Sequence, residues 1–337
     1  MGLNASHSPL LPSHTWETDG EGFYFLRMKT RILTALLLGV LVWTSCGDDL
    51  PSPAPTPQEK TDNANANTLF KNYSRRMEMP HLIGGPMDLF RVKTVSEFGV
   101  NFSYEFSCEK RATYWIAYRW DIDNTADNNI GRSEQWDEDT ELPDQYRVTT
   151  YMHSSNGYDR GHMLASEDRQ NSWEANAQTF LMSNMHPQYN RFNGQDYVWY
   201  NMEIRVRQFY ANWTRKANAE DTIYAVKGGT IGTEGGSIAA KDQIIEVTPK
   251  GLIVPKYFYM AFLYKNKQAS QGGYKAIAFW VEHTNGVDRT KGNELKKYAI
   301  SIDELERRTG IDFFCNLPDD IENVVEANAV PAAWGFN

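Results

Sequence analysis

The run Tyr158-Asp159-Arg160-Gly161-His162 places a cation, a residue without a Cβ and an imidazole at consecutive positions. Arg160 presents a planar fork of donors that matches phosphate oxygens. Gly161 lets the backbone bend sharply and lets a ligand come close. His162 can take up a proton near neutral pH. An anion clamp beside a general base is what hydrolysis of a phosphodiester requires. The plain alternative is a solvated turn that happens to carry a histidine, and these five residues alone do not separate the two.

Further elements follow at set intervals. They are Ser183-Asn184-Met185-His186-Pro187-Gln188, then Phe192-Asn193-Gly194, then Trp199 and Glu203. Pro187 to Asn193 is six residues and Trp199 to Glu203 is four. Taken in order from Asp159 to Arg207, the pattern D-R-G-H, S-N-x-x-P-Q, Asn and W-x-x-x-E resembles the DNA/RNA non-specific endonucleases. These are the sugar-nonspecific ββα-metal nucleases, which include secreted bacterial nucleases and mitochondrial endonuclease G. Val254-Pro255-Lys256-Tyr257-Phe258 resembles the family's V-P-x-x-F strand, and Ser301 to Phe314 resembles its C-terminal signature. The resemblance therefore runs from about Tyr114 to Glu322.

The resemblance implies an α+β chain with the ββα-metal nuclease fold, a central antiparallel sheet flanked by helices. It implies a divalent-metal-dependent endonuclease that hydrolyses phosphodiester bonds of DNA and RNA. Sequence preference would be small, because phosphate contacts position a substrate without reading its bases. His162 matches the general base, and needs an acceptor on its second ring nitrogen to fix the neutral tautomer. Asn193 matches the one direct protein ligand of Mg²⁺, with Mn²⁺ as a substitute; an amide oxygen suits such a hard ion. Glu203 matches a carboxylate that binds a water of the metal. Arg160 matches the contact to the scissile phosphate, and Arg207 and Arg132 match further phosphate contacts.

One departure concerns register. Asn193 to Glu203 is ten residues, two longer than the family pattern, and Asn201 occupies the pattern position. Extra residues within Gly194 to Tyr197 would restore the Trp-to-Glu spacing, so Glu203 is preferred. Without the family, Asn193 reads as a helix N-cap before it reads as a ligand, and the alternative for Glu203 with Arg207 is an exposed i,i+4 ion pair. Asn184 reads as structural, bonding backbone groups. His153, His186 and His283 have no metal spacing and read as ordinary surface or satisfied histidines. Two other functions stay open. One is an inactive surface lipoprotein that binds nucleic acid or glycan; the other is a phosphodiesterase acting on small nucleotides. Neither DNA against RNA nor the oligomeric state can be read from these residues.

The elements that must hold these residues lie in one α+β domain, expected over 69–337. Val100 to Phe106 alternates and reads as a strand, as do Thr113–Tyr118, Arg147–Tyr151, Tyr224–Val226 and Ala276–Val281. Leu252–Pro255 and Tyr257–Tyr264 read as a strand pair. Glu174–Leu181, Asp196–Trp213 and Ile302–Thr309 read as helices, the last with Gly310 as its C-cap. The net charge of -9 and pI near 5.4 exclude a generally basic nucleic-acid coat, so any such site must be a local basic groove. Three cysteines without a C-x-x-C pair exclude a zinc ribbon or a disulfide scaffold. Cys108 and Cys315 read as one bridge or as two separate buried thiols.

Residues 1–45 read as upstream residues and a signal peptide, with translation expected to start at Met28. Met28-Lys29-Thr30-Arg31 is basic, and Ile32 to Trp43 is apolar but falls short of the ~20 residues that cross a bilayer. Cys46 directly follows Thr44-Ser45 and resembles the lipidated first residue of a bacterial lipoprotein. The expected location is then the cell envelope, periplasmic or surface-exposed, with lipid at Cys46 as the membrane anchor. An ordinary secretory signal, giving a secreted protein, is the alternative. Residues 46–68, rich in Pro, Asn and Ala, read as a tether that cannot build a core. The Asp48-Asp49 pair in it resembles the export signal of some surface-displayed lipoproteins.

Overall fold

The computed structural model describes residues 63–125, 130–210, 221–265 and 273–337. The signal run, Cys46 and tether residues 46–62 lie outside the described residues. Helix α1 (Lys71–Ser74) precedes the strands β1 (Asp88–Val95), β2 (Gly99–Ser107) and β3 (Ala112–Trp120). Next come β4 (Asp159–His162), α2 (Trp173–Gln178), β5 (Met185–Gln188), α3 (Asn190–Asn193) and α4 (Val198–Phe209). The chain continues through β6 (Thr222–Gly229), β7 (Ile244–Val247), β8 (Ile253–Pro255), β9 (Tyr257–Lys265), β10 (Tyr274–Glu282) and β11 (Ala299–Ile300). It closes with α5 (Ile302–Thr309) and α6 (Asp319–Val325). Seven strands form an antiparallel sheet in the order β1-β2-β3-β6-β9-β10-β11.

The sheet is covered on both faces, and period-two alternation sorts its side chains between them. Ile116, Tyr118, Met260, Phe262, Ile277 and Phe279 point to one core. Trp115, Ala117, Ala261, Leu263, Ala276 and Ala278 point to the other. The first core receives Trp199, Met202 and Val206 from α4 and Met185 from β5. The second receives Ile302 and Leu305 from α5 and Val325 from α6. Burying each large side chain of this kind contributes about 1.5–3 kcal/mol. This arrangement is the expected antiparallel sheet with helices on both sides.

Four sequence expectations change in detail. Arg147–Tyr151 is not a strand: it forms turns, with Met152 N bonding Thr149 O, because Arg147 folds back onto the carbonyl of Leu142. Leu252–Pro255 does not pair with Tyr257–Tyr264. Strand β8 pairs with β7, because β9 already has β6 on one edge and β10 on the other. Helix α4 starts at Val198, since Asp196 holds a left-handed φ of 68° that no helix tolerates; residues 211–213 of the expected helix lie outside the described residues. Residues 63–68, read as tether, are seated on the body: Asn67 is 1% exposed and its amide donates to the carbonyls of Ser74 and Pro80. An Asn-rich stretch builds no apolar core, but its amides can satisfy buried carbonyls.

Other expectations are met. Helix α5 spans Ile302–Thr309 and Gly310 ends it with φ 73°; Ser301, a cap not named from the sequence, accepts from Glu304 N. Cys108 and Cys315 are separate buried thiols. Cys108 lies in the first core, whereas Cys315 sits beside Phe314, which packs in the second.

Candidate active site

The small sheet β4–β5 carries the first part of the site. In register, Arg160 opposes Pro187 and His162 opposes Met185. Alternation puts Arg160 and His162 on one face of β4 and Gly161 on the other. Gly161 is therefore a strand residue and not a bend. A Cβ there would lie 2.1 Å from Oε1 of the buried Gln188, so it is the close approach of that side chain that requires glycine. Gly161→Ala should lower stability by about 1–3 kcal/mol through overpacking. Thermal melting checks this: an unchanged melting temperature would show that Gln188 moves aside freely.

Fixed bonds hold β4 and β5 in place. Asn184 is buried; its Oδ1 accepts from Leu164 N and its Nδ2 donates to the carbonyls of Leu164 and Thr179. Asp139 joins this turn to the large sheet, accepting from Ser183 Oγ (2.6 Å), Lys93 Nζ (2.6 Å) and Tyr104 Oη (2.5 Å). His283 is satisfied on both nitrogens. Nδ1 bonds Pro255 O, and Nε2 accepts from Tyr189 N at 2.7 Å, which pins the start of α3. His153 and His186 are also buried, not surface groups, because both face the packed interior.

Arg132, Arg160, His162, Asn193, Tyr200, Glu203 and Arg207 line a single cavity of about 200 Å³. The structure thus brings together Arg132, Arg160, His162, Asn193, Glu203 and Arg207, the six site candidates inside the folded domain. His162 packs between Trp136 and Phe180, with ring centroids 5.4 and 5.1 Å away. Burial and the nearby Arg132 push its pKa down to about 3, opposed by the Arg160 backbone, which hydrogen-bonds the ring. Nε2 is buried without a partner. The opposing influence comes from the chain two residues back, and Nε2 is left to accept a proton. Arg160 lies over the Trp136 ring (4.7 Å) and Arg132 over the Phe180 ring (4.7 Å). Among the described residues, no carboxylate pairs with Arg160.

Asn193 ends α3, while the N-cap of α4 is Tyr197, so Asn193 is not a cap. No hydrogen bond engages its side-chain amide among the described residues. Glu203 and Arg207 sit one turn apart on α4, yet they do not pair with each other. Glu203 Oε1 accepts from Lys227 Nζ at 3.0 Å, and Arg207 Nε donates to Asp168 Oδ1 at 2.8 Å. Lys227 also lies 3.8 Å from Asp168 Oδ2. Lys227 and Asp168 are each about 1% exposed, and Glu203 is 12% exposed. Burial raises the pKa of Glu203, and Lys227 is the largest influence holding it down. Burial opposes the charge of Lys227, but Glu203, Tyr118 and Asp168 outweigh it and raise its pKa. Asn201 is turned elsewhere, its Nδ2 donating to the carbonyls of Asp196 and Thr290.

Sequence reading did not find Lys227 or Asp168. Lys227 had one available signal, a lysine inside the apolar run of β6 next to Gly228-Gly229. A buried strand lysine needs a partner carboxylate. Asp168 ends a one-turn 3₁₀ helix, Ser166–Asp168, with no such signal.

The family model of the DNA/RNA non-specific endonucleases matches residues 89–320. A nuclease of Nostoc sp. is 29% identical over 227 residues, 67% of this chain and 75% of the relative. The mitochondrial nuclease of Saccharomyces cerevisiae is 24% identical over 268 residues, 78% of this chain and 77% of the relative. A chain in the crystal structure of the EndoG/EndoGI complex superposes with a TM-score of 0.54 at 18% identity, covering 67% of this chain and 86% of its own. At that identity the structural likeness speaks for the fold.

Proposed function

Because the chain belongs to the DNA/RNA non-specific endonuclease family, we propose that it is a hydrolytic nuclease that cleaves DNA and RNA with little base preference, at the cavity of Arg160, His162 and Asn193. The observation that carries this reading is the unpartnered, buried Nε2 of His162 beside two arginines, one of them without a carboxylate partner. A phosphate entering the cavity meets the guanidinium of Arg160, which Trp136 holds by its ring face. Arg132, stacked on Phe180, supplies a second cation to the same cavity. His162 Nε2 accepts a proton from the attacking water, which forms a bond to phosphorus as the bond to the leaving oxygen breaks. The Arg160 backbone favours the charge that His162 gains.

The family is generally dependent on a divalent metal. The donors present fit such an ion: Asn193 offers an uncommitted amide oxygen, and Glu203 is a carboxylate at the same cavity wall. Such an ion, Mg²⁺ in our reading, would stabilise the charge that builds on the phosphate and the departing oxygen. Glu203 would act from one step further out, kept charged by Lys227.

The direct test is incubation of the purified protein with plasmid DNA and with total RNA, in Mg²⁺ and in EDTA. Cleavage of both in Mg²⁺ and of neither in EDTA is expected. Binding without cleavage would favour an inactive binding protein. Cleavage of dinucleotides only would favour a small-nucleotide phosphodiesterase.

The register question has its own test. Glu203→Gln should raise the Mg²⁺ concentration for half-maximal activity roughly 10- to 100-fold. Asn201→Ala should leave that concentration unchanged and cost about 0.5–1.5 kcal/mol of stability, since two part-buried carbonyls lose their donor. The reverse pattern would assign the role to Asn201.

A further inference from the structure

We propose that Asp303, Glu306 and Glu326 form a structural Ca²⁺ site, on the face of the sheet opposite the cavity, that ties α5 and α6 to the segment 63–67. The three residues each offer a carboxylate oxygen, and these oxygens lie within 4.8 Å of one another. Oxygens that share one Ca²⁺ at 2.3–2.6 Å can be at most about 5 Å apart, so the spacing fits a single ion. Helix α5 carries two of them and the C-cap of α6 carries the third. Both helices pack in the second core, whereas α4 and its Glu203 pack in the first.

The second observation is Glu326 itself. It is 3% exposed, and its Oε1 is buried with no hydrogen-bond partner. A bare carboxylate oxygen turned into a group of other carboxylates is costly unless a cation shares the space. Asp312 and Glu322 stand close by, both accepting from Asn65 Nδ2. Among the described residues, no Lys or Arg forms an ion pair with any of these five acids. The neighbouring Arg307 and Arg308 both turn to Glu304 instead. Asn65 Oδ1 is a further buried oxygen with no partner, on the segment that an ion would hold. Ca²⁺ fits better than Mg²⁺ because it accepts a cage of protein oxygens, while Mg²⁺ keeps several of its waters.

The site is independent of the reading of the cavity, and its test avoids activity. Full-length protein stripped with chelator would be melted with Ca²⁺ and with Mg²⁺, in the wild type and in Asn193→Ala. Ca²⁺ should raise the melting temperature equally in both, and more than Mg²⁺ does. It should also slow proteolysis before Phe70. Asp303→Asn, at an exposed position that tolerates the change, should raise the Ca²⁺ concentration for half the effect at least ~10-fold by removing a ligand charge. Glu326→Gln should abolish the shift. Two results would overturn the proposal. One is an equal Ca²⁺ shift in wild type and Asp303→Asn, which places the ion elsewhere. The other is no Ca²⁺ shift at all together with stabilisation by mild acid, which makes protons the neutralising partner.

Discussion

His162→Ala should abolish cleavage of DNA and RNA alike, with a loss of about 10²–10⁴-fold, the usual contribution of a general base. Binding of nucleic acid should remain, because Arg160 and Arg132 keep their aromatic supports. The fold should also survive, and its acid sensitivity gives a second readout. In the folded protein His162 titrates near 3, whereas an unfolded histidine titrates near 6.5. The unfolded chain therefore binds the extra proton between these values. The neutral ring contributes stability above about pH 6.5 that is lost as pH falls toward 3. His153, lowered to about 3, and His186 and His283, each lowered to about 4, act in the same direction, burial being the first cause in each. Removing His162 should make the loss of stability below pH 6.5 shallower by one proton. Activity above half of wild type would remove His162 from the role of base.

Lys227→Met should have the largest effect on stability. It leaves Glu203 and Asp168 in the interior with Arg207 as their remaining cation. Breaking a buried ionic group by removing one partner costs about 3–5 kcal/mol. In a body of this size that is a fall of roughly 10 °C in melting temperature. The same change removes the main influence that keeps Glu203 ionised, so the carboxyl should take up a proton at higher pH than before. Activity should then be lost near neutrality and partly regained as pH rises. The double variant Lys227→Met/Glu203→Gln should recover stability, because the uncompensated charge is gone, while remaining inactive. A single variant that melts like the wild type would show that the network does not hold this part of the fold.

Much of this molecule was written in local patterns. The alternation of Val100 to Phe106 made β2, the apolar spacing after Asp196 made most of α4, and Gly310 closed α5. The motif residues were legible too, and Glu203 and Arg207, four apart on a helix, are set on one face before any tertiary contact forms. Arg160 and His162 share a face only because 159–162 is a strand and not the bend that Gly161 suggested.

What only the tertiary structure decided were the partners. Glu203 and Arg207 have the spacing of a surface ion pair, yet each binds a residue brought from elsewhere: Lys227 from β6 and Asp168 from the turn after β4. The buried charges must be neutralised locally, and a neighbour across the sheet satisfies that need as well as one along the helix. His162 is set between Trp136 and Phe180, rings brought from distant segments. Gly161 owes its identity to a glutamine on the opposing strand, and the amides of Asn65 and Asn67 reach carboxylates and carbonyls far along the chain. Sequence spacing sets which face a side chain occupies, and only the packing of distant segments sets what it meets there.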